Sequence, residues 1–279
     1  RSSVGGVRTA PKQGEPAMPL NADTYTTIAI EKRPNGVAIA TLNRPDRLNA
    51  VNGDMHHELS RIARDADDDR DVKVLVITGA GRAFCAGGDF SSGSDTTHKI
   101  TLEEARMIVD HLLEAHIPII SAVNGYAMGL GATVALLCDI VVAGRSAVFA
   151  DTHVKLGIGA GDGGQVIWPF LMGVNRAKYY LMTGDRLKAE EAERMGLVNF
   201  VVDDDKLLDE ALAIADRLAA GPGLAIAASK VPINNWLRSV SAQILPLSLS
   251  MEGATMRSKD AGEAARAFQE KREPKFEGR

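Results

Sequence analysis

The residues best suited to chemistry surround three glycine-rich stretches. These are Ala86-Gly87-Gly88-Asp89, Asn124-Gly125-Tyr126-Ala127-Met128-Gly129-Leu130-Gly131 and Gly157-Ile158-Gly159-Ala160-Gly161-Asp162-Gly163-Gly164. Glycine lets a backbone approach a ligand closely, so that N–H groups point at its oxygen atoms. Leu130 falls at the start of an expected helix, where the dipole favours negative charge. Two such donors from two loops make an oxyanion hole, which stabilises an enolate as it develops. His153 and Asp162 stand nine residues apart, with most of the third loop between them. A carboxylate that orients and charges an imidazole is a recurring base arrangement, and histidine titrates near neutral pH. Plainer readings stand beside these: a structural histidine, an Asx turn at Asp162 and a solvated helix face around Glu252.

Other constellations are weaker. Gly159-x-Gly161-x-x-Gly164 has the spacing of a dinucleotide-binding turn, but no clear strand runs into it and no acidic ribose reader follows. Cys85 and Cys138 sit in apolar surroundings and read as inert thiols. His56 and His57 read as neighbours on a polar helix face. His111 and His116 are poorly spaced for one metal on a helix, and no metal-ligand set is legible. The acidic run Asp65, Asp67, Asp68, Asp69 and Asp71 reads as a solvated helix cap, since the glycine and final glutamate of a calcium loop are missing.

These loops need a frame. The chain has 279 residues, 45% of them hydrophobic and 24% charged, as in an ordinary globular protein. Its net charge of −4 excludes a basic nucleic-acid footprint and a polybasic membrane-surface protein. Two cysteines cannot build a disulfide scaffold, which points to the cytoplasm. No apolar run reaches the ~18 to 20 residues of a membrane helix. Residues 1–22 are rich in Gly and Pro and are expected to be a flexible tail, without the apolar stretch of a secretory signal. Residues 27–31 and 36–42 alternate around Pro34-Asn35-Gly36 and predict a hairpin. An amphipathic helix is expected over 52–70, with Met55, Leu59, Ile62 and Ala66 on one side. Strands over 72–78, 117–123 and 139–143, with helices over 102–115 and 129–137, imply parallel βαβ units. Beyond about residue 165, helices are expected over 175–183, 188–195, 204–220, 222–238 and 241–270, with one strand over 198–202. The fold class is α/β: a core over 23–203 and a helical C-terminal region over 204–279.

Several stretches, in order, resemble the crotonase superfamily, the enoyl-CoA hydratase/isomerases. They are Leu42-Asn43-Arg44-Pro45-Asp46-Arg47-Leu48-Asn49-Ala50, Ala83-Phe84-Cys85-Ala86-Gly87-Gly88-Asp89-Phe90, Ala122-Val123-Asn124-Gly125-Tyr126-Ala127-Met128-Gly129, and residues 149–164 and 268–276. The resemblance runs from about residue 24 to 276. It implies a spiral of ββα units, a helical C-terminal trimerisation region, and homotrimers or homohexamers. It implies an acyl-CoA substrate whose thioester carbonyl is held by the N–H groups of Gly88 and Leu130. Arg47, Leu48, Ala50, Ala86 and Gly87 fall on the CoA side, with Asp89 as a brace and Lys275 and Phe276 at the CoA edge. No cofactor beyond the coenzyme A of the substrate is implied, and no metal, nucleic acid or membrane span.

The departures from the family narrow the chemistry. Enoyl-CoA hydratases add water with two glutamates, and the matching positions here are Thr133 and His153. Thr133 cannot act as a base at neutral pH, which leaves a one-base mechanism with His153. The β-diketone hydrolase branch (6-oxocamphor hydrolase-like) is similar at His153, at Gly161-Asp162-Gly163, at Trp168-Pro169 and at Glu252, but it has a histidine where this chain has Leu130. Three functions stay open: a crotonase-type enzyme working on an acyl-CoA enolate by hydration, double-bond isomerisation or thioester hydrolysis, a retro-Claisen hydrolase of a β-diketone using His153 and Asp162, and a catalytically inactive oligomeric binding protein.

Overall fold

The computed structural model describes residues 19–89 and 96–279. Most of the expected tail, and Phe90 of the second family motif, lie outside them. Leu20 is already part of the core, at 1% exposure. Strands β1 (Ile28–Lys32) and β2 (Val37–Leu42) form the expected hairpin, with Ile28 opposite Leu42 and Lys32 opposite Ala38. The chain continues through α1 (Gly53–Asp68), β3 (Val74–Gly79), β4 (Ala83–Cys85), α2 (Leu102–Glu114), β5 (Ile119–Val123), β6 (Tyr126–Met128), α3 (Leu130–Leu137), β7 (Ile140–Gly144) and β8 (Val148–Ala150). It ends with α4 (Gly164–Met172), α5 (Val174–Thr183), β9 (Leu187–Lys188), α6 (Ala189–Met195), β10 (Phe200–Val202), α7 (Leu207–Ala219), α8 (Gly223–Thr255) and α9 (Lys259–Glu270).

The main sheet has the order β1-β2-β3-β5-β7-β10, and every pair after the hairpin is parallel. Its inner strands β3 and β5 are buried on both faces, which is why they read as unbroken apolar runs, whereas the edge strands β1 and β10 are partly exposed. On one face Val37, Ile39, Val74, Val76 and Ile120 meet Leu207, Ala211 and Ile214 of α7. The alternate residues Ala38, Ala40, Leu75, Ile77 and Ile119 join the larger core with α1, α2 and α3. After a tight turn, β3, β5 and β7 each lead into a short strand. These strands, β4, β6 and β8, pair in parallel in a second sheet that antiparallel β9 completes. The result is a spiral of strand pairs and helices, as the resemblance implies.

Side chains expected on the surface turn out to be tertiary anchors. Asp65 accepts from the Tyr25 hydroxyl at 2.8 Å and pairs with Arg61 at 2.6 Å. Asp67 accepts from the His116 and Ile117 N–H groups, and Asp69 pairs with Lys32 at 2.7 Å. Asp65, Asp67 and Asp69 are therefore not part of a solvated cap, while Asp68 and Asp71 are exposed as expected. Glu58 of α1 accepts from the N–H groups of Thr26, Thr27 and Ile28 and from both threonine hydroxyls, at 2.6–3.0 Å. Glu58→Ala is expected to destabilise the fold by about 3 kcal/mol, because buried N–H donors at the start of β1 lose their acceptor. Urea unfolding measures this, and a loss below about 1 kcal/mol would mean that water replaces the carboxylate.

The C-terminal helices differ from expectation. Instead of breaking near 240, α8 runs through Pro232 and Pro246 to Thr255. Packing along α2 and α4 offsets the backbone hydrogen bonds those prolines remove. Among the described residues no single helix is long and apolar enough to cross a membrane.

Candidate active site

Residues 86–89, just beyond β4, zip onto the loop around Leu48. Ala86 N–H donates to Leu48 C=O at 3.0 Å, Val51 N–H to Gly87 C=O at 2.8 Å, and Asp89 N–H to Val51 C=O at 2.9 Å. Asn49, fully buried, locks the seam by donating to the carbonyls of Ala80 and Ala83. Arg44 pairs with Asp89 at 2.8 Å and also reaches Ala50 C=O, so Asp89 is a brace. In this parallel pairing of Val51 with Gly88, the N–H of Gly88 itself faces the opposite side of its strand. On the neighbouring strand, β6 ends at Met128. Gly129, at φ 51°, turns the chain directly into α3. Leu130 is the first residue of that helix, so its N–H has no intrahelical acceptor. The two expected donors thus leave adjacent strands of the second sheet.

The acid–base residues gather against this helix terminus. β8 leads through Asp151 into a 3-10 turn, His153–Leu156. The His153 ring packs on Gly129, where a Cβ would lie 3.3 Å from Cε1. Its Nδ1 is 2.6 Å from Asp151 Oδ1, and its Nε2 is 3.4 Å from Asp162 Oδ2 and 3.9 Å from Glu252 Oε1. The Thr133 hydroxyl donates to Asp162 Oδ1 at 3.1 Å. Glu252 comes from the distant α8, and Gly161 makes the approach possible: a Cβ there would stand 2.3 Å from Glu252 Cβ. Asp151 Oδ2 and Glu252 Oε2 are buried without a hydrogen-bond partner among the described residues.

Charge in this cluster is set by burial and by neighbours. Burial alone would lower the pKa of His153, but the charges of Asp162 and Asp151 and the hydrogen bonds to both outweigh it. The ring is held well above its ordinary range and rests as an imidazolium. Burial pushes Asp162 up, yet the His153 charge and the bonds from His153 and Thr133 hold it below the usual carboxylate range. Burial and the charge of Asp162 lift Glu252 to about 7, against the pull of His153. The site therefore holds an ion pair plus one carboxyl that exchanges its proton near neutrality, the kind of perturbation that marks acid–base sites. Asp151, His153 and Asp162 also bring ligand atoms within 4.8 Å of one another, close enough for a metal ion. The imidazolium already supplies the positive charge there.

The Glu252 shift fixes a sign for stability. Its folded pKa lies above its ordinary 4.5, so its contribution is present below about pH 4.5 and is lost as the pH rises through about 7. That contribution is roughly 3 kcal/mol. Glu252→Gln is expected to flatten this limb in melting temperatures recorded from pH 4 to 8. An unchanged slope would mean that Glu252 titrates normally.

The structure brings Thr133, His153, Asp162 and Glu252 to one point, and it places Gly88 and Leu130 at neighbouring strand ends. Lys275 is tied to α9, its N–H donating to Glu263, and among the described residues no hydrogen bond joins Lys275 or Phe276 to the Arg47 loop. Sequence reasoning missed Asp151, whose only signal is its place two residues before His153. It also misplaced His56, which is 3% exposed beneath α2 and not on a polar face. Both cysteines are buried, and burial pushes the Cys85 thiol up to about 12.

Comparison with known proteins agrees with this architecture. The chain matches the family described as enoyl-CoA hydratase/isomerase over residues 32–279. It is 37% identical over 251 residues to a 1,2-epoxyphenylacetyl-CoA isomerase of Escherichia coli, covering 88% of this chain and 96% of the relative. A probable enoyl-CoA hydratase of Mycobacterium tuberculosis is 35% identical over 254 residues, or 91% and 98% of the two chains. The crystal structure of an enoyl-CoA hydratase/isomerase from Mycobacterium paratuberculosis matches with a TM-score of 0.80 at 38% identity, covering 86% and 98%. A carnitinyl-CoA hydratase from Mycobacterium avium matches with a TM-score of 0.80 at 34% identity, covering 91% and 99%. The chain belongs to the enoyl-CoA hydratase/isomerase family of the crotonase superfamily.

Proposed function

We propose that the enzyme acts as a lyase or isomerase on an acyl-CoA thioester. Its enolate is held by the N–H groups of Gly88 and Leu130, and protons move through His153 and the carboxyls around it. The observation that carries this reading is the His153 ring, clamped between Asp151 and Asp162 at the N-terminus of α3, with Glu252 3.9 Å away. A helix N-terminus favours the developing oxyanion, and the fixed donors are in place before charge appears. Because His153 rests protonated, it enters as the acid that protonates the enolate carbon. Glu252, poised near neutrality, accepts the proton from water or from the substrate. Thr133 orients Asp162. The relatives named for 1,2-epoxyphenylacetyl-CoA and carnitinyl-CoA support a thioester substrate. Arg47, Leu48, Ala50, Ala86 and Gly87 would hold its CoA part, with Lys275 and Phe276 at the edge. Exposed Trp236, Leu247 and Phe268 on α8 and α9 support a homotrimer or homohexamer. Buried carboxyls cost stability, so an inactive scaffold has no use for this cluster.

Calorimetric titration with acetoacetyl-CoA, whose enolate mimics the intermediate, tests the reading. Saturable binding supports it, and the absence of binding to folded protein overturns it. One observation favours a second reading, the retro-Claisen hydrolase: Glu252 lies 3.9 Å from the His153 nitrogen that faces Asp162, so three polar groups that could activate a water converge. That reading predicts consumption of a free cyclic β-diketone without any CoA ligand.

A further inference from the structure

The two ring nitrogens of His153 have unlike surroundings. Nδ1 meets Asp151 Oδ1 at 2.6 Å, and the same oxygen accepts the backbone N–H of His153 at 3.3 Å. One oxygen thus grips the ring and its own backbone together. The Asp151 side chain is 1% exposed. Its other oxygen lies against Gly164, the first residue of α4: a Cβ there would stand 2.5 Å from Oδ2. The carboxylate is wedged, and among the described residues it has no hydrogen-bond donor other than His153. Nε2 meets Asp162 at 3.4 Å, a loose contact, and Asp162 is shared with the Thr133 hydroxyl of α3. Glu252 of α8 brings Oε1 to the same nitrogen at 3.9 Å. One nitrogen is therefore held tightly by a single fixed acceptor, and the other has longer contacts to two carboxyls.

We infer that Asp151 is a positioning residue: it keeps a proton on His153 Nδ1 and so commits Nε2 as the nitrogen that exchanges protons with the substrate. The use of Nε2 rests on the acyl-CoA reading above; the hold on Nδ1 does not. A short charge-assisted hydrogen bond is stronger than a 3.4 Å contact, so the Nε2 proton is the one that leaves. When the enolate carbon takes it, the Nε2–H bond breaks, its electron pair stays on Nε2 and a C–H bond forms. The ring is then neutral with its proton on Nδ1, the tautomer from which Asp151 accepts. An amide in place of Asp151 can donate to Nδ1 and favour the opposite tautomer, whose Nε2 is never bare.

Two measurements test this. The first is the nitrogen-edited proton NMR spectrum of the whole protein labelled at histidine, without ligand. A far-downfield ring proton on His153 Nδ1 is expected, assigned by its loss in His153→Asn. It should persist in Asp162→Asn and vanish in Asp151→Asn. Its absence from the wild type, its presence on Nε2 instead, or its survival in Asp151→Asn overturns the inference. The wild-type spectrum decides the point even if Asp151→Asn folds poorly. The second is deuterium uptake at the α-carbon of butyryl-CoA in heavy water. Asp151→Asn should lower kcat for uptake about a hundredfold or more while KM stays within about threefold, because Asp151 does not touch the substrate. Removing one of the anions around the ring also weakens its hold on the Nε2 proton. The high-pH limb of kcat, where His153 loses that proton facing Asp162, Glu252 and the Thr133–Asp162 pair, should therefore move to lower pH. A loss of equal size at every pH, with the limb unmoved, is what a merely structural Asp151 would give, and it overturns the inference. If the folded wild type takes up no deuterium, it is the acyl-CoA reading that fails, and the Nδ1 proton still decides whether Asp151 positions the ring.

Discussion

Exchanging His153 for Asn is expected to lower kcat/KM by about a thousandfold, within the range that general acid–base groups supply. Asparagine keeps much of the size of the ring but carries no transferable proton. It also removes the only cation among Asp151, Asp162 and Glu252. Stability should therefore change with a definite pH dependence. The His153 pKa is raised, so its contribution is present below about 6.5 and is lost only as the pH rises through its higher folded value. The Asp162 pKa is lowered, so its contribution is present above about 3.8 and is lost as the pH falls through its folded value. Both are in force around pH 6, where the variant should lose most in melting temperature, and the difference should shrink toward pH 3. Single-turnover kinetics read the catalytic loss. Turnover within tenfold of the wild type would remove His153 from the mechanism.

The sequence spoke clearly where an element was long and its pattern regular. The amphipathic stripe of Met55, Leu59 and Ile62 gave α1, and the apolar run before Gly79 gave β3, because burial on one or both faces leaves a period in the residues. The second sheet left no such trace. Ala83–Cys85, Tyr126–Met128 and Val148–Ala150 are too short to show a period, and only their pairing with one another makes them strands. His153, Asp162 and Thr133 could be singled out from the resemblance, but their union with Glu252 depends on α8 crossing back over the third glycine loop. Asp151 was invisible for a different reason: a carboxylate leaving a strand has no mark until the next turn brings an imidazole onto it. His56 and the acidic run at the end of α1 failed in the same way, since most of their partners come from α2, Tyr25 and β1 rather than from their own helix. The main-sheet strands and the major helices, which local patterning controls, were largely legible. The charge network, which distant elements assemble, was not.

Replacing Leu130 by proline is expected to lower kcat about a hundredfold or more below Leu130→Ala, by deleting one oxyanion donor while leaving α3 intact. The backbone permits the change. Leu130 is the first residue of α3, where proline is favoured because its missing N–H had no intrahelical acceptor and its fixed φ suits the helix. The preceding Gly129 has ψ −123°, outside the α region that a following proline ring disfavours. Leu130 is 7% exposed, so losing the leucine side chain has its own cost in packing, of about 2 to 5 kcal/mol. Leu130→Ala carries most of that cost but keeps the N–H, which makes it the reference. The two variants should melt within a few degrees of each other and differ in kcat. Acetoacetyl-CoA should bind more weakly to the proline variant by a comparable factor, because its enolate oxygen uses the same donor. Equal kcat in the two variants would mean that the Leu130 N–H does not face the developing oxyanion, and the thioester carbonyl would have to be sought at another helix terminus.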